Sequence, residues 1–166
     1  MLLRQVVIAT ILIIMKTSSK NKNILHLESY WPYQITVLAD RIARRMSKIV
    51  KEHELNLSQW RVLAAIADKP GRTSVDVVTI TPMDKGIVSR ATQALLKMGL
   101  IRREASQIDG RISHLHLTEK GSNLYNKLIP QIAESLKEAD ECLSQSAQQQ
   151  LDESLRTLIK ILPDLR

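Results

Sequence analysis

The 166-residue chain carries 24 Lys and Arg against 17 Asp and Glu, a formal charge of +7, which favours polyanionic partners such as nucleic acid or an anionic membrane surface. Hydrophobic residues make up 44% but aromatics only 3%, with no Phe, so the core is aliphatic, and five Gly and five Pro are too few for the frequent turns of an all-β fold. The length suits one compact domain rather than two, and a lone cysteine, Cys142, excludes an intrachain disulfide framework and is compatible with a reducing compartment.

Val6 to Met15 is almost wholly apolar, between Arg4 and Lys16. It has about half the length of a membrane span, and Lys16-Thr17-Ser18-Ser19-Lys20 offers no small-x-small cleavage site. Three readings stand side by side: a translation start at Met15, a short helix packed on a dimer, or a weak anchor. Residues 1–27 are therefore set apart as an N-terminal extension whose polar stretch 16–27 is a lead-in.

From Pro32 the apolar positions Ile35, Leu38, Ala39, Ile42, Met46 and Ile49 recur at helical spacing, and His53-Glu54-Leu55-Asn56 ends that helix. Ser58 reads as the cap of the next helix, with Trp60, Leu63, Ala64 and Ala67 inward and Pro70-Gly71 as its stop. Thr73 and Asp76 have capping-box spacing and open a short helix to about Ile80. Thr81-Pro82-Met83-Asp84 repeats the signal, with Thr81 as cap and Pro82 at the first helical position, for a helix that runs to Met98 and stops at Gly99.

Two short, separately capped helices across a tight turn form a helix-turn-helix pattern. Leu100 to Glu104 reads as a strand, Ser106 to Gly110 as a turn, and Ile112 to Leu117 alternates with period two. Thr118 caps a long helix from Glu119 to about Leu143, in which Pro130 predicts a kink, and Ser146 with Gln149 opens a last helix that ends before Pro163. The fold class is mainly α with a small β-hairpin wing: a winged helix-turn-helix at 57–118, with helices at 28–56 and 119–166 forming a dimerisation region.

Chemistry concentrates on the helix after Thr81. Val88, Ala91, Leu95 and Met98 form its inner stripe, while Lys85, Gly86, Ser89, Arg90, Gln93 and Lys97 face the other way. Arg90 suits a guanine edge, Gln93 an adenine edge, and Ser89 either a base or a phosphate. Gly86 lets the backbone approach a duplex closely, beside the unpaired N–H groups of the helix start. At the hairpin tip Asp109-Gly110-Arg111 places Arg111 to enter a narrow minor groove, with Asp109 orienting it and Arg102 and Arg103 adding charge from the preceding strand.

In this order and spacing, Leu57 to Ile66, Met83 to Ala91, Lys97 to Ile101, Asp109-Gly110-Arg111 and Leu117 to Gly121 make the chain from about Tyr30 to Tyr125 resemble the MarR family of bacterial regulators. The resemblance implies a cytoplasmic, dimeric winged-helix protein whose first and last two helices intertwine. It also implies a pseudo-palindromic operator on double-stranded DNA, with repression as the expected mode, and often a small-molecule inducer bound between the dimerisation and DNA-binding regions. Ser89, Arg90 and Gln93 fall at its major-groove positions and Arg111 at its minor-groove position. Val77-Val78 departs from the usual Leu-Ala pair but stays apolar.

Dimerisation has separate support in the stripes Leu124, Leu128, Ile132, Leu136 and Leu143, and Leu151, Leu155, Leu158 and Leu162, more than one modest subunit would cover. No enzyme motif, cofactor or metal site is expected: His114 and His116 share a strand face without further ligands and read as exposed, and Cys142, among Glu138, Asp140 and Glu141, reads as packed rather than redox-active. The alternative to a DNA reader is a winged-helix protein-interaction module whose basic face meets an acidic partner.

Overall fold

Side-chain caps set most of the helix starts, as seen in a computed structural model that describes residues 25–109 and 112–162. The extension expected at 1–27 therefore lies outside the described residues up to position 24, as do Gly110, Arg111 and Pro163. A single 3₁₀ turn, Leu27–Ser29, leads into α1 (Trp31–Lys51). There follow α2 (Leu57–Asp68), α3 (Ser74–Ile80), α4 (Lys85–Lys97), β1 (Ile101–Ala105), β2 (Ser113–Leu117), α5 (Glu119–Glu141) and α6 (Gln145–Ile161).

The chain divides into two compact units, Met1–Arg41 and Ile42–Arg166. In the first, the N-terminal part of α1 exposes Trp31, Tyr33, Ile35 and Leu38. The second holds the core. Leu63, Ile66, Leu95, Leu115 and Leu128 are all fully buried there, and each such side chain contributes about 1.5–3 kcal/mol of burial. Val77 is also fully buried and Val78 packs against the same cluster, so the β-branched pair takes a place in the core.

Three caps differ from the sequence expectation. α2 is capped by Asn56, which forms a reciprocal box with Gln59, and not by Ser58. Its buried stripe is Trp60, Val62, Leu63, Ala65 and Ile66, so Ala64 and Ala67 lie at its margin, half-buried. Thr81 ends α3, its hydroxyl donating to the Val77 carbonyl at 2.7 Å, and the cap of α4 is Asp84. α6 is capped by Ser144 rather than Ser146. The box of Thr73 and Asp76 on α3 and the cap of Thr118 on α5 stand where the sequence puts them.

β1 and β2 pair antiparallel, with Arg102 opposite His116 and Arg103 opposite Leu115. The α2–α3 connection adds to this hairpin: Gly71 N–H donates to the Leu115 carbonyl at 3.0 Å, and Leu115 N–H to the Arg72 carbonyl at 2.9 Å. Gly71 has φ +84°, a conformation that only glycine adopts cheaply. α5 runs through Pro130 as one element, with the proline on its exposed side. Trp60 of α2 stacks on Tyr125 of α5, ring centroids 5.7 Å apart. Within the second unit Arg45 of α1 donates to the Ser135 carbonyl of α5 at 2.7 Å.

Part of the apolar stripe on α5 serves its own subunit: Leu128 is fully buried, and Leu124 and Ile132 pack on the core. Leu143 and the α6 residues Leu151, Leu155 and Ile159 stay exposed, and α6 buries none of its residues. Cys142 is exposed at the end of α5, not packed, its thiol donating to the Ala139 carbonyl at 3.1 Å.

Candidate nucleic-acid interface

The face that the sequence marks on α4 is a real surface. Lys85, Gly86, Ser89, Arg90, Gln93 and Lys97 are all exposed, while Val88, Ala91 and Leu95 are buried and Met98 is half-buried. Thr92 is buried as well, its hydroxyl lacking a hydrogen-bond partner. α4 starts at Asp84, whose carboxylate accepts the Ile87 N–H at 2.7 Å. The remaining N–H groups of that turn, at the positive end of the helix dipole, point outward. A Cβ on Gly86 would sit 3.3 Å from Asp84 Oδ1 and 3.5 Å from Arg90 Nη1, so the absent side chain leaves room for both groups over the first turn.

The wing tip is shaped by Ser106, which the sequence reading did not single out. Its hydroxyl accepts from the Ile108 and Asp109 N–H groups at 3.2 and 3.3 Å, and Ile112 N–H donates to the Asp109 carbonyl at 2.9 Å. A serine two or three residues ahead of a turn is the signal that could have marked it. Asp109 is exposed beside this turn; Arg111, its expected partner, lies outside the described residues.

Strand alternation sends Arg102 and Arg103 to opposite faces. Arg103 borders a groove with Thr73, Ser74, Val75, Asp76, Ile112 and Ser113, on the side of the wing next to α3. Arg102 turns to the other side. It pairs with Glu104 at 2.8 Å and lines an open cleft of about 380 Å³ whose walls include Ile66, His116, Leu117, Ser122 and Tyr125. Glu104, bonded to Arg102 and near His116 and His114, is held below the usual carboxylate range.

The two histidines are half-buried and engaged, not exposed. His114 Nδ1 lies 2.8 Å from the Gly71 carbonyl, which ties the wing to the α2–α3 connection, and His116 Nε2 is 3.6 Å from Glu104. Among the described residues no group of three or more His, Cys, Asp or Glu is placed to hold a metal ion. No helix among them is long and apolar enough to cross a membrane.

Comparison with known proteins matches residues 53–112 to the MarR family. The chain is 29% identical over 117 residues to the homoprotocatechuate degradative operon repressor of Escherichia coli, covering 68% of this chain and 76% of that one. A MarR-family regulator from Silicibacter pomeroyi superimposes with a TM-score of 0.76 at 24% identity, over 83% of this chain and 93% of that one, a likeness of fold. A MarR-family regulator of Listeria monocytogenes, solved with a 26-mer DNA, superimposes with a TM-score of 0.73 at 26% identity, over 76% and 85%. The winged-helix architecture, the match across the helix-turn-helix and the first strand of the wing, and these relatives agree: residues 53–112 form a MarR-family domain, that of a transcriptional regulator.

Proposed function

We propose that the protein is a homodimeric, sequence-specific repressor that places one α4 helix of each subunit in successive major grooves of a pseudo-palindromic operator. The observation that carries this is the exposed row Lys85, Ser89, Arg90, Gln93 and Lys97 on a helix whose opposite side is fixed in the core. Arg90, Gln93 and Ser89 read base edges. Lys85, Gly86 and Arg103 meet the phosphate backbone, and Arg111 enters the minor groove at the wing. Arg102, already paired with Glu104, supplies charge behind the wing. The name of the Escherichia coli relative, an operon repressor, supports repression, and the Listeria complex with DNA supports the duplex as ligand.

Dimerisation is supported by the exposed apolar residues of α6, which a symmetric partner would cover. A small-molecule effector that relieves repression would find an opening in the cleft under the wing. There Arg102 and His116 face apolar Ile66 and Leu117.

Fluorescence anisotropy on the DNA upstream of the protein's own gene, against a scrambled duplex of equal length at about 150 mM salt, tests the reading. Preference for the native fragment by about 10³ or more is expected of specific recognition. On the operator so found, Arg90→Ala should relax selectivity at one base position by about 1–3 kcal/mol. Arg111→Ala should instead weaken binding across all sequences. Unchanged binding by both variants would sink the assignment of this surface, and binding to neither duplex would favour the protein-interaction module.

A further inference from the structure

The exit of α4 is hydrogen-bonded to the entrance of α5. α4 closes in a Schellman turn: Leu100 N–H donates to the Leu95 carbonyl at 3.0 Å and Gly99 N–H to the Leu96 carbonyl at 3.0 Å, with Gly99 at φ +67°. That turn leaves the carbonyls of Met98, Gly99 and Leu100 pointing away from the helix without intrahelical donors. All three receive donors from the first turn of α5. Lys120 Nζ donates to the Met98 carbonyl at 2.9 Å. The Thr118 hydroxyl donates to Gly99 at 2.7 Å and shares its proton with Leu100 at 3.1 Å, and Thr118 N–H donates to Leu100 at 3.0 Å.

The same Thr118 oxygen accepts the Gly121 N–H at 3.1 Å, so one side chain both starts α5 and holds the end of α4. Gly121 is buried against the Leu100 carbonyl, which leaves the joint no slack.

We propose that Thr118 and Lys120 are positioning residues for DNA reading: they make α4 and α5 move as one body, so that α5 sets the separation of the two α4 helices in the dimer. The inference rests on the dimeric reading above. A helix held only by its buried stripe can slide by an ångström or two on the core. One whose last carbonyls are hydrogen-bonded to the next helix must carry that helix along. Operator half-sites are spaced by helical turns of the duplex, so a fixed α4–α4 separation selects one spacing.

The test is the distance between nitroxide labels at position 93 of the two protomers, measured by pulsed electron resonance without DNA, in Gln93→Cys protein with Cys142→Ser. The parent should give a single narrow distance peak, and Thr118→Ser with Lys120→Arg should keep it, since both donors remain. Lys120→Met should broaden the peak without moving the thermal midpoint, because its stem and ammonium lie at the surface. Thr118→Ala with Lys120→Met should lose the single peak. A peak unchanged in every variant that folds overturns the proposal. A parent with no dipolar signal shows instead that the dimeric reading has failed.

Discussion

Gly121 has no side chain because the Leu100 backbone occupies the place of one: a Cβ there would lie 1.9 Å from the Leu100 carbonyl oxygen and 3.0 Å from its carbon. Backbone atoms in a hydrogen-bonded turn cannot give way as a side-chain end would. Gly121→Ala should therefore destabilise the protein by about 2–3 kcal/mol, the upper range for overpacking, read as a lowered urea midpoint with an unchanged slope. The run Leu117 to Gly121 is visible in the sequence as a family pattern, but its spatial reason lies 21 residues upstream, at Leu100, where no local rule looks. Caps show the same limit at shorter range. Thr81 and Asp84 both carry an oxygen suited to the start of α4. The choice of Asp84 follows from Thr81 being spent on the end of α3.

Among the elements, α3 is short and leans on its capping box. Asp76 accepts from Thr73 N–H at 2.7 Å and from the Thr73 hydroxyl at 2.9 Å. The Thr73 hydrogen bonds, with Lys69 and Arg72 nearby, hold its carboxyl below the ordinary value of 3.8. A carboxyl depressed by folding stabilises the native state fully above its unfolded pKa, and that contribution fades as pH falls through the lower folded value. Asp76→Asn should accordingly lower the urea midpoint at neutral pH, with the gap to wild type closing as the solution is acidified below 3.8. A gap that stays constant with pH would mean that charge on Asp76 plays no part. Elements of this kind, with period and cap chemistry in one stretch, were legible: α3, the exposed face of α4, the hairpin and the Thr118 start of α5 stand as expected. The hydrogen bonds that tie Gly71-Arg72 to the hairpin were not, because two residues carry no period. Nor were the ties of His114 and His116, since strand alternation gives a face but not what is packed against it.

For the whole molecule, α6 carries an exposed apolar surface, where Ile159 is 76% exposed and Leu155 36%. Replacing both with Glu (Leu155→Glu with Ile159→Glu) puts charge where a symmetric interface would be desolvated. Sedimentation should then give a monomer where the wild type gives a dimer; a wild-type monomer at all concentrations would end the dimeric reading. The scarcity of aromatic residues has a separate consequence. Tyr30, Trp31 and Tyr33 lie together around the start of α1 in the first unit, and Trp60 with Tyr125 forms the stack inside the second. Trp31 is 46% exposed, while Trp60 is buried at 4%. The protein thus carries two optical reporters of different colour and access: solvent relaxes the emission of Trp31 to the red, and a dissolved quencher reaches it first. Trp60 emits to the blue from between α2 and α5, so the two units can be followed apart with no label added.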